Sequence, residues 1–325
     1  MDRSFTEQEN GAAGNRLGTA RQLRQDGRPA EAEAILIELA EEYSWTADPD
    51  AAEDSSNQLA FDIRQELGGL QLDLGRYTDA EATLREARAQ VMITIGGDSL
   101  AAARASNDLG VVYKYLGRFA DARQMYAHAQ PIFEEHDPAG DMVASLFHNL
   151  AGLAHSEGRY AEGEVVSRDG LAMRIALHGN DHLLVAADTA ALGGLLEAQG
   201  QFEAAAGCFR RAVEIFELAH GRRHPEVAIN LSNLAAVSEA AGQFTEAEKL
   251  YNEALELERD LFGESHPETM RTLNNLAYLH RTAGRVDEAR EAYRTVVAAL
   301  APRVPDDNPV LRAARNQLEK LREAS

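Results

Sequence analysis

The sequence predicts an all-α fold, a solenoid of stacked helical hairpins, and three observations predict it. The stretch opened by His224-Pro225 recurs 42 residues later from His266-Pro267. Asn233-Leu234-Ala235 returns as Asn275-Leu276-Ala277, Gly242 as Gly284, Ala247 as Ala289 and Tyr251 as Tyr293. A fixed period of this length marks stacked supersecondary units. The leucine eight residues before each glycine carries the same beat at Leu67, Leu109, Leu150, Leu192, Leu234 and Leu276, in steps of 42, 41, 42, 42 and 42. No segment alternates apolar and polar residues as a half-buried strand does.

The units follow in order. In the first, 14–56, Gly27-Arg28-Pro29-Ala30-Glu31-Ala32 matches Gly75-Arg76-Tyr77-Thr78-Asp79-Ala80 at a distance of 48, which places a six-residue insertion at 47–52. The next six are 57–98, 99–139, 140–181, 182–223, 224–265 and 266–307. Leu318 keeps the phase in 308–325, expected to be a capping helix. Residues 1–13 are polar and are expected to form a disordered tail of this otherwise continuous array.

Each unit reads as two helices and a tight turn. In the sixth, Pro225 suits a first helical turn, where its missing N–H is harmless. Ile229, Leu231, Leu234 and Val237 lie near helical spacing. Gly242 ends this helix in the left-handed conformation, and Phe244 can fold over the turn. Ala247, Leu250, Tyr251, Ala254, Leu255 and Leu257 line the second helix, which Gly263 ends, with Gly97, Gly179 and Gly221 assigned to the same phase. Small residues let the two helices approach, and large ones such as Leu234 and Tyr251 fill the space between them.

Two departures stand out. The fourth unit carries Gly163, Ser167 and Gly170 where its siblings carry alanine, an aromatic and alanine, so its second helix is expected to pack poorly. Drift, a hinge and a widened groove are all compatible with this. Gly68-Gly69 and Gly193-Gly194 lie inside first helices; the first glycine of each pair is a small packing position, and the second is expected to face the groove, where a ligand backbone can approach.

These residues resemble the tetratricopeptide repeat. That family has a Leu-Gly/Ala pair in its first helix, a Gly-x-aromatic turn, and Ala, aromatic and Ala in its second helix. Its usual period is about 34. The 42-residue form, with its His-Pro opening and Asn-Leu-Ala core, looks most like the kinesin-light-chain type. The resemblance covers about residues 14 to 325. It implies a right-handed superhelix of about seven repeats whose first helices line a concave, partner-binding groove.

Composition excludes several function classes. The chain has 32 Lys+Arg against 53 Asp+Glu, a formal net charge of −21. That argues against nucleic acid and anionic membrane as partners. No apolar run approaches a membrane span, and residues 1 to 14 do not form a secretory signal. The single cysteine, Cys208, sits at a core phase and forms no intramolecular disulfide, which suits a reducing, cytoplasmic location.

The candidate chemistry is sparse. Gly97-Asp98-Ser99-Leu100 spells a hydrolase signature but lacks the preceding strand and the downstream histidine that would give it context. His178 and His182, and His220 and His224, have metal-ligand spacing, but Gly179 and Gly221 break the helix between them. The histidines at 182, 224 and 266 read better as inter-repeat or N-cap-like residues, with Asn308 at the same phase. No phosphate loop or zinc motif is present. No enzymatic activity and no cofactor are expected.

What remains is the groove. In the resembled family, asparagines near the marker leucine bond a peptide backbone, since a carboxamide can donate and accept at once. The matching positions are Asn149, Asn233 and Asn275, with Asn107 and Asn274 as further candidates. Arg104, Lys114, His148 and His155 come from adjacent first helices and form a basic lane in an acidic chain. Such a lane could take an acidic side chain or a C-terminal carboxylate. Arg271 and Arg281 beside Asn275 make a second candidate, Arg21 and Arg24 belong to the first unit, and Asp62, Glu66, Asp73, Glu197 and Glu239 supply acidic groove positions. The function expected is a non-catalytic protein- or peptide-binding scaffold or adaptor. The alternatives are a sensor that changes superhelical shape on binding a signal peptide, and an accessory subunit of an enzyme or secretion complex. The charged ends, the helix from Val310 to Leu321 especially, are compatible with a monomer and equally with self-association.

Overall fold

The computed structural model describes residues 3–25, 27–43, 45 and 55–323. Among these the backbone forms fifteen helices and no strand. They come in pairs, α1 (Arg3–Gln25) with α2 (Pro29–Glu42), α3 (Ser55–Asp73) with α4 (Tyr77–Thr94), and α5 (Leu100–Tyr115) with α6 (Phe119–His136); α7 (Asp141–Ser156) ends the first unit and α8 (Tyr160–His178) begins the second. There follow α9 (Leu183–Ala198) with α10 (Phe202–His220), α11 (Pro225–Ala240) with α12 (Phe244–Phe262), α13 (Pro267–Thr282) with α14 (Val286–Leu300), and a last helix, α15 (Pro309–Glu323). The chain divides into two compact units, Met1–Gly158 and Arg159–Ser325, and the boundary falls inside the fourth repeat.

The turn inside each pair is set by one residue. The glycine there has a φ between +71° and +78°, from Gly27 through Gly284. Side chains with a Cβ pay a steric penalty in that region. The next N–H then reaches back to an otherwise orphaned helical carbonyl, as Gln243 N does to Ser238 O at 2.8 Å. After α4 the left-handed glycine is Gly96, with φ +114°, and not Gly97. Gly96 is 29 residues after Leu67, as Gly179, Gly221 and Gly263 are after their own marker leucines, so the same phase falls on Gly96 and the assignment to Gly97 is one residue too far.

Starts of the first helices follow a second rule. Ser99, His182, His224 and His266 are all N-caps whose side chains accept from a backbone N–H. Asn308 does the same for α15 through Oδ1, accepting from Val310 and Leu311 at 3.1 Å each. Ser99 Oγ also donates to Gly96 O at 2.7 Å, so the hydrolase-like tetrapeptide is a helix start. The histidine pairs stack face to face, His178 on His182 at 4.3 Å and His220 on His224 at 4.1 Å between ring centroids. His182 and His224 each spend Nδ1 on the cap.

Packing is small against large. Tyr126, Tyr251 and Tyr293 are fully buried on second helices, and Phe209 and Leu84 take the same place in their repeats. A Cβ on Gly110 would fall 2.3 Å from the Tyr126 ring, one on Gly68 2.5 Å from Leu84, and one on Gly193 3.0 Å from Phe209. The first glycine of each pair is therefore a seat for the facing large side chain. In α8 the buried positions are Gly163, Ser167, Gly170 and Arg174. In place of an apolar core, Arg174 Nε meets Asp188 Oδ2 at 3.3 Å, with both side chains buried.

Neighbouring repeats are also linked by charge. The residue after the turn glycine pairs with an acid on the preceding second helix: Arg76 with Glu33 (2.6 Å), Arg118 with Glu81 (2.8 Å), Arg285 with Glu248 (2.7 Å), and Gln201 with Glu164 (3.4 Å). The latter three pairs are 37 residues apart and Glu33 and Arg76 are 43 apart, six more. The insertion expected at 47–52 lies outside the described residues. At the N-terminus, α1 reaches back to Arg3, into the segment 1–13 expected to be disordered. Ala13, 1% exposed, packs with Leu17, Leu36 and Leu39, so the first core begins before residue 14.

Candidate functional site

First helices of successive repeats lie side by side, α1, α3, α5 and α7 in one unit and α11, α13 and α15 in the other. In each unit the face these helices share carries a candidate site. The phase two residues after the marker leucine lines it: Gly69 and Val111 in the first unit, Ala236 and Tyr278 in the second.

In the first unit a cleft of about 360 Å³ opens between α1, α3 and α5. Its charges are mostly satisfied internally. Arg24 holds Glu66 and Asp73 at 2.7 Å each through Nη1 and Nε, and Arg21 reaches Glu66 at 3.0 Å. Gly69 does face the groove, but its space is taken by the Arg24 guanidinium, 3.3 Å from where a Cβ would be. At Gly194 the corresponding space is open. Arg104 stacks over Phe61 at 5.8 Å and lies 3.9 Å from Asp62.

A polar ladder crosses three first helices beside this cleft. Gln65 donates to Asp108 at 2.7 Å, Asn107 to Asp108 at 3.3 Å, and Asn149 to Asn107 at 3.0 Å. Burial pushes the Asp108 carboxyl up, against the pull of these donors. Gln65 and Asp108 were missed by reading asparagines alone. Asp108 occupies the phase of Asn149, Asn233 and Asn275, and that register was the available signal.

Lys114 is different. Its ammonium lies 4.7 Å from the Tyr115 ring centroid, half-buried. Gly152, at the phase of Gly69, leaves room for it: a Cβ there would fall 3.3 Å from Nζ. Burial alone pushes the Lys114 pKa down, with no carboxylate acting on it. His155 is pushed down by burial and then by the Lys114 charge, so the two are neighbours. The predicted four-residue basic lane is thus divided. Lys114 and His155 come together, whereas Arg104, ten residues or about 15 Å away along α5, belongs to the acidic cleft. His148 is half-buried one residue before Asn149.

In the second unit a cleft of about 240 Å³ is lined by Glu239, Tyr251, Asn274, Asn275, Tyr278, Tyr293 and Gln317, among others. Arg281 stacks over Tyr278 at 4.8 Å, and Arg271 pairs with Glu268 at 2.6 Å, so these arginines are also separated along their helix. Asn233 is half-buried outside this cleft. Cys208 is half-buried, and burial pushes its thiol up, away from a reactive thiolate.

No three described His, Cys, Asp or Glu side chains are grouped to hold a metal ion, and no described helix is long and apolar enough to cross a membrane. No curated protein matches the sequence significantly. Among solved structures, a Rap protein complexed with Competence and Sporulation Factor superposes with a TM-score of 0.59 at 12% identity, covering 97% of this chain and 98% of that one. BtubC (BKLC) from P. vanneervenii gives 0.56 at 22%, covering 80% and 93%. A Podosopora anserina kinesin light chain with nearly identical TPR-like repeats gives 0.53 at 21%, covering 61% and 95%. At these identities the likeness shows the fold alone. The tetratricopeptide-repeat family model matches residues 59–135, 142–218, 186–257 and 226–301, well over half of the chain. The helical hairpins, the turn glycines and these matches agree, and the chain belongs to the tetratricopeptide-repeat family.

Proposed function

We propose that this chain is a non-catalytic scaffold that binds a protein or peptide along the face shared by α3, α5 and α7, with Lys114 receiving an acidic side chain or a C-terminal carboxylate. The observation that carries this is the unpaired state of Lys114. In a chain of net charge −21, where Arg21, Arg24 and Arg271 are tied to carboxylates, this half-buried ammonium has no carboxylate partner among the described residues. Partial desolvation strengthens any anion contact made there. The neighbouring carboxamides of Asn107 and Asn149 offer backbone-matching groups one helix turn or two away. The single cysteine and the acidic balance support a reducing, cytoplasmic setting.

Selection of a displayed random-peptide library on the purified chain tests this. The wild type should enrich peptides bearing Asp, Glu or a free C-terminus. Lys114→Glu should weaken them by roughly 10- to 100-fold, the worth of one charge-assisted contact. No enrichment, or the same peptides held equally by Lys114→Glu, would sink the proposal. The solved Rap complex with Competence and Sporulation Factor motivates a second reading, a sensor whose shape changes on binding. Small-angle scattering with and without a selected peptide separates the two: a rigid scaffold keeps its profile.

A further inference from the structure

The second cleft has a different chemistry. It is walled by three tyrosines from three different helices, Tyr251, Tyr278 and Tyr293, with the Glu239 carboxylate at one side. Tyr251 Oη donates to Glu239 Oε2 at 3.3 Å, which fixes the carboxylate, but Oε1 has no hydrogen-bond partner. Asn274 Oδ1 and Gln317 Oε1 are likewise buried and unpartnered among the described residues, and the buried hydroxyl of Tyr293 lies beside the Arg281 guanidinium. Three buried acceptor oxygens, on α11, α13 and α15, therefore belong to residues that line one cleft of about 240 Å³. Buried acceptors without donors are costly, and such a group calls for a ligand that brings N–H donors.

Charge narrows the choice. Burial pushes the Glu239 carboxyl up, and Glu197 on α9, also half-buried, is pushed up by burial alone. Both carboxylates act on Tyr251, so they share a neighbourhood. Arg281 lies over Tyr278 and beside the Tyr293 hydroxyl, Arg271 acts on Tyr251, and neither makes an ion pair with Glu239 among the described residues. The Arg281 contact shows that the Tyr278 ring accepts a cation on its face. A ligand with several N–H donors, a positive charge and an alkyl stem would satisfy the acceptors, neutralise Glu239 and lie against the rings.

We infer that this cleft is a subsite for a basic side chain, the ammonium of a lysine or the guanidinium of an arginine, carried by the partner. Glu239 supplies the counter-charge, Asn274 and Gln317 accept N–H groups, and the tyrosines enclose the stem. The cap helix α15 is thereby part of a recognition site through Gln317. The inference rests on the scaffold reading only for what carries the basic group.

The test does not depend on that reading. The chain has nine tyrosines, so 3-fluorotyrosine labelling gives a resolvable fluorine spectrum in which Tyr278→Phe assigns the resonance of interest. The probes are the methylamides of Nα-acetyl-lysine, Nα-acetyl-arginine and the neutral Nα-acetyl-norleucine. The lysine or arginine probe should shift the Tyr278 resonance saturably, norleucine should not, and Glu239→Gln should weaken the effect at least tenfold. A Tyr278→Ala variant, altering an exposed residue, should weaken binding as well, read by calorimetry with the same probes. Equal shifts from norleucine, or unchanged binding in Glu239→Gln with the helical spectrum intact, would overturn the inference. Library selection for acidic peptides through Lys114 is read separately, so either claim can fail while the other stands.

Discussion

Glu258 should make this protein less stable as the pH rises, and its amide should remove that penalty. The side chain lies on α12 with 0% exposure. Thr272 Oγ1 donates to its Oε1 at 2.9 Å, and Oε2 has no partner. Burial pushes its pKa from the ordinary 4.5 up to about 7, with the Thr272 bond and Arg271 pulling the other way. Because the folded value is raised, both states hold the proton below about pH 4.5. As the pH climbs, the unfolded chain releases it first and stability falls, until above about pH 7 the full penalty applies. At about 1.4 kcal/mol per pH unit, the displacement is worth roughly 3 kcal/mol. Glu258→Gln keeps the acceptor for Thr272 and cannot ionise. Its amide N–H₂ falls where Oε2 is orphaned, which returns about 1 kcal/mol of the gain. Urea unfolding of wild type and variant at pH 5 and pH 8 should therefore show the variant about 2 kcal/mol more stable at pH 8 and near parity at pH 5. A gain of equal size at both pH values, or a variant weaker at pH 8, would refute the reasoning.

Other outcomes follow from named contacts. Asp188→Ala takes a buried carboxylate away from the Arg174 guanidinium and should cost about 3–5 kcal/mol by chemical unfolding, whereas the double change Arg174→Met with Asp188→Leu should cost far less. Gly242→Ala, at φ +78°, should lose about 1 kcal/mol with no contact removed, and Gly110→Ala should cost more because Tyr126 must move. Burial, then His220, pushes His224 down, so its contribution is intact above about pH 6.5 and fades as the pH falls. His224→Asn, which retains an N-cap, should narrow the drop in melting temperature between pH 7.5 and pH 5.5.

The fold was legible because its rules are local. A turn glycine, an N-cap and a 42-residue beat are each readable from residue type and spacing, and Leu67, Leu109, Leu192, Leu234 and Leu276 are all buried as the beat implies. Leu150, in the repeat entered by the short step, is only half-buried. The candidate site was less legible, because groove residues are judged by what neighbouring helices do to them. Arg104 and Lys114 look equivalent on one helix, but only α3 reveals that Arg104 faces Asp62 and only α7 reveals Gly152 making room for Lys114. The tyrosine-walled cleft draws on α11 to α15: Tyr251 and Tyr293 keep the 42-residue beat as core positions, and nothing in that beat shows Glu239, Asn274 and Gln317 meeting beside them.

The charge link between repeats has a consequence for how such an array can grow. Segment 57–98 carries both halves of the link, Arg76 for the repeat before it and Glu81 for the one after. A tandem copy of that segment would recreate the 37-residue pair at the new junction. Segment 182–223 carries Gln201 but has Ala206 where the acid should stand, so a copy inserted after it would meet no partner. Lengthening by duplication is therefore compatible with the sequence at some joints and not at others, and a designer adding repeats would choose the early ones.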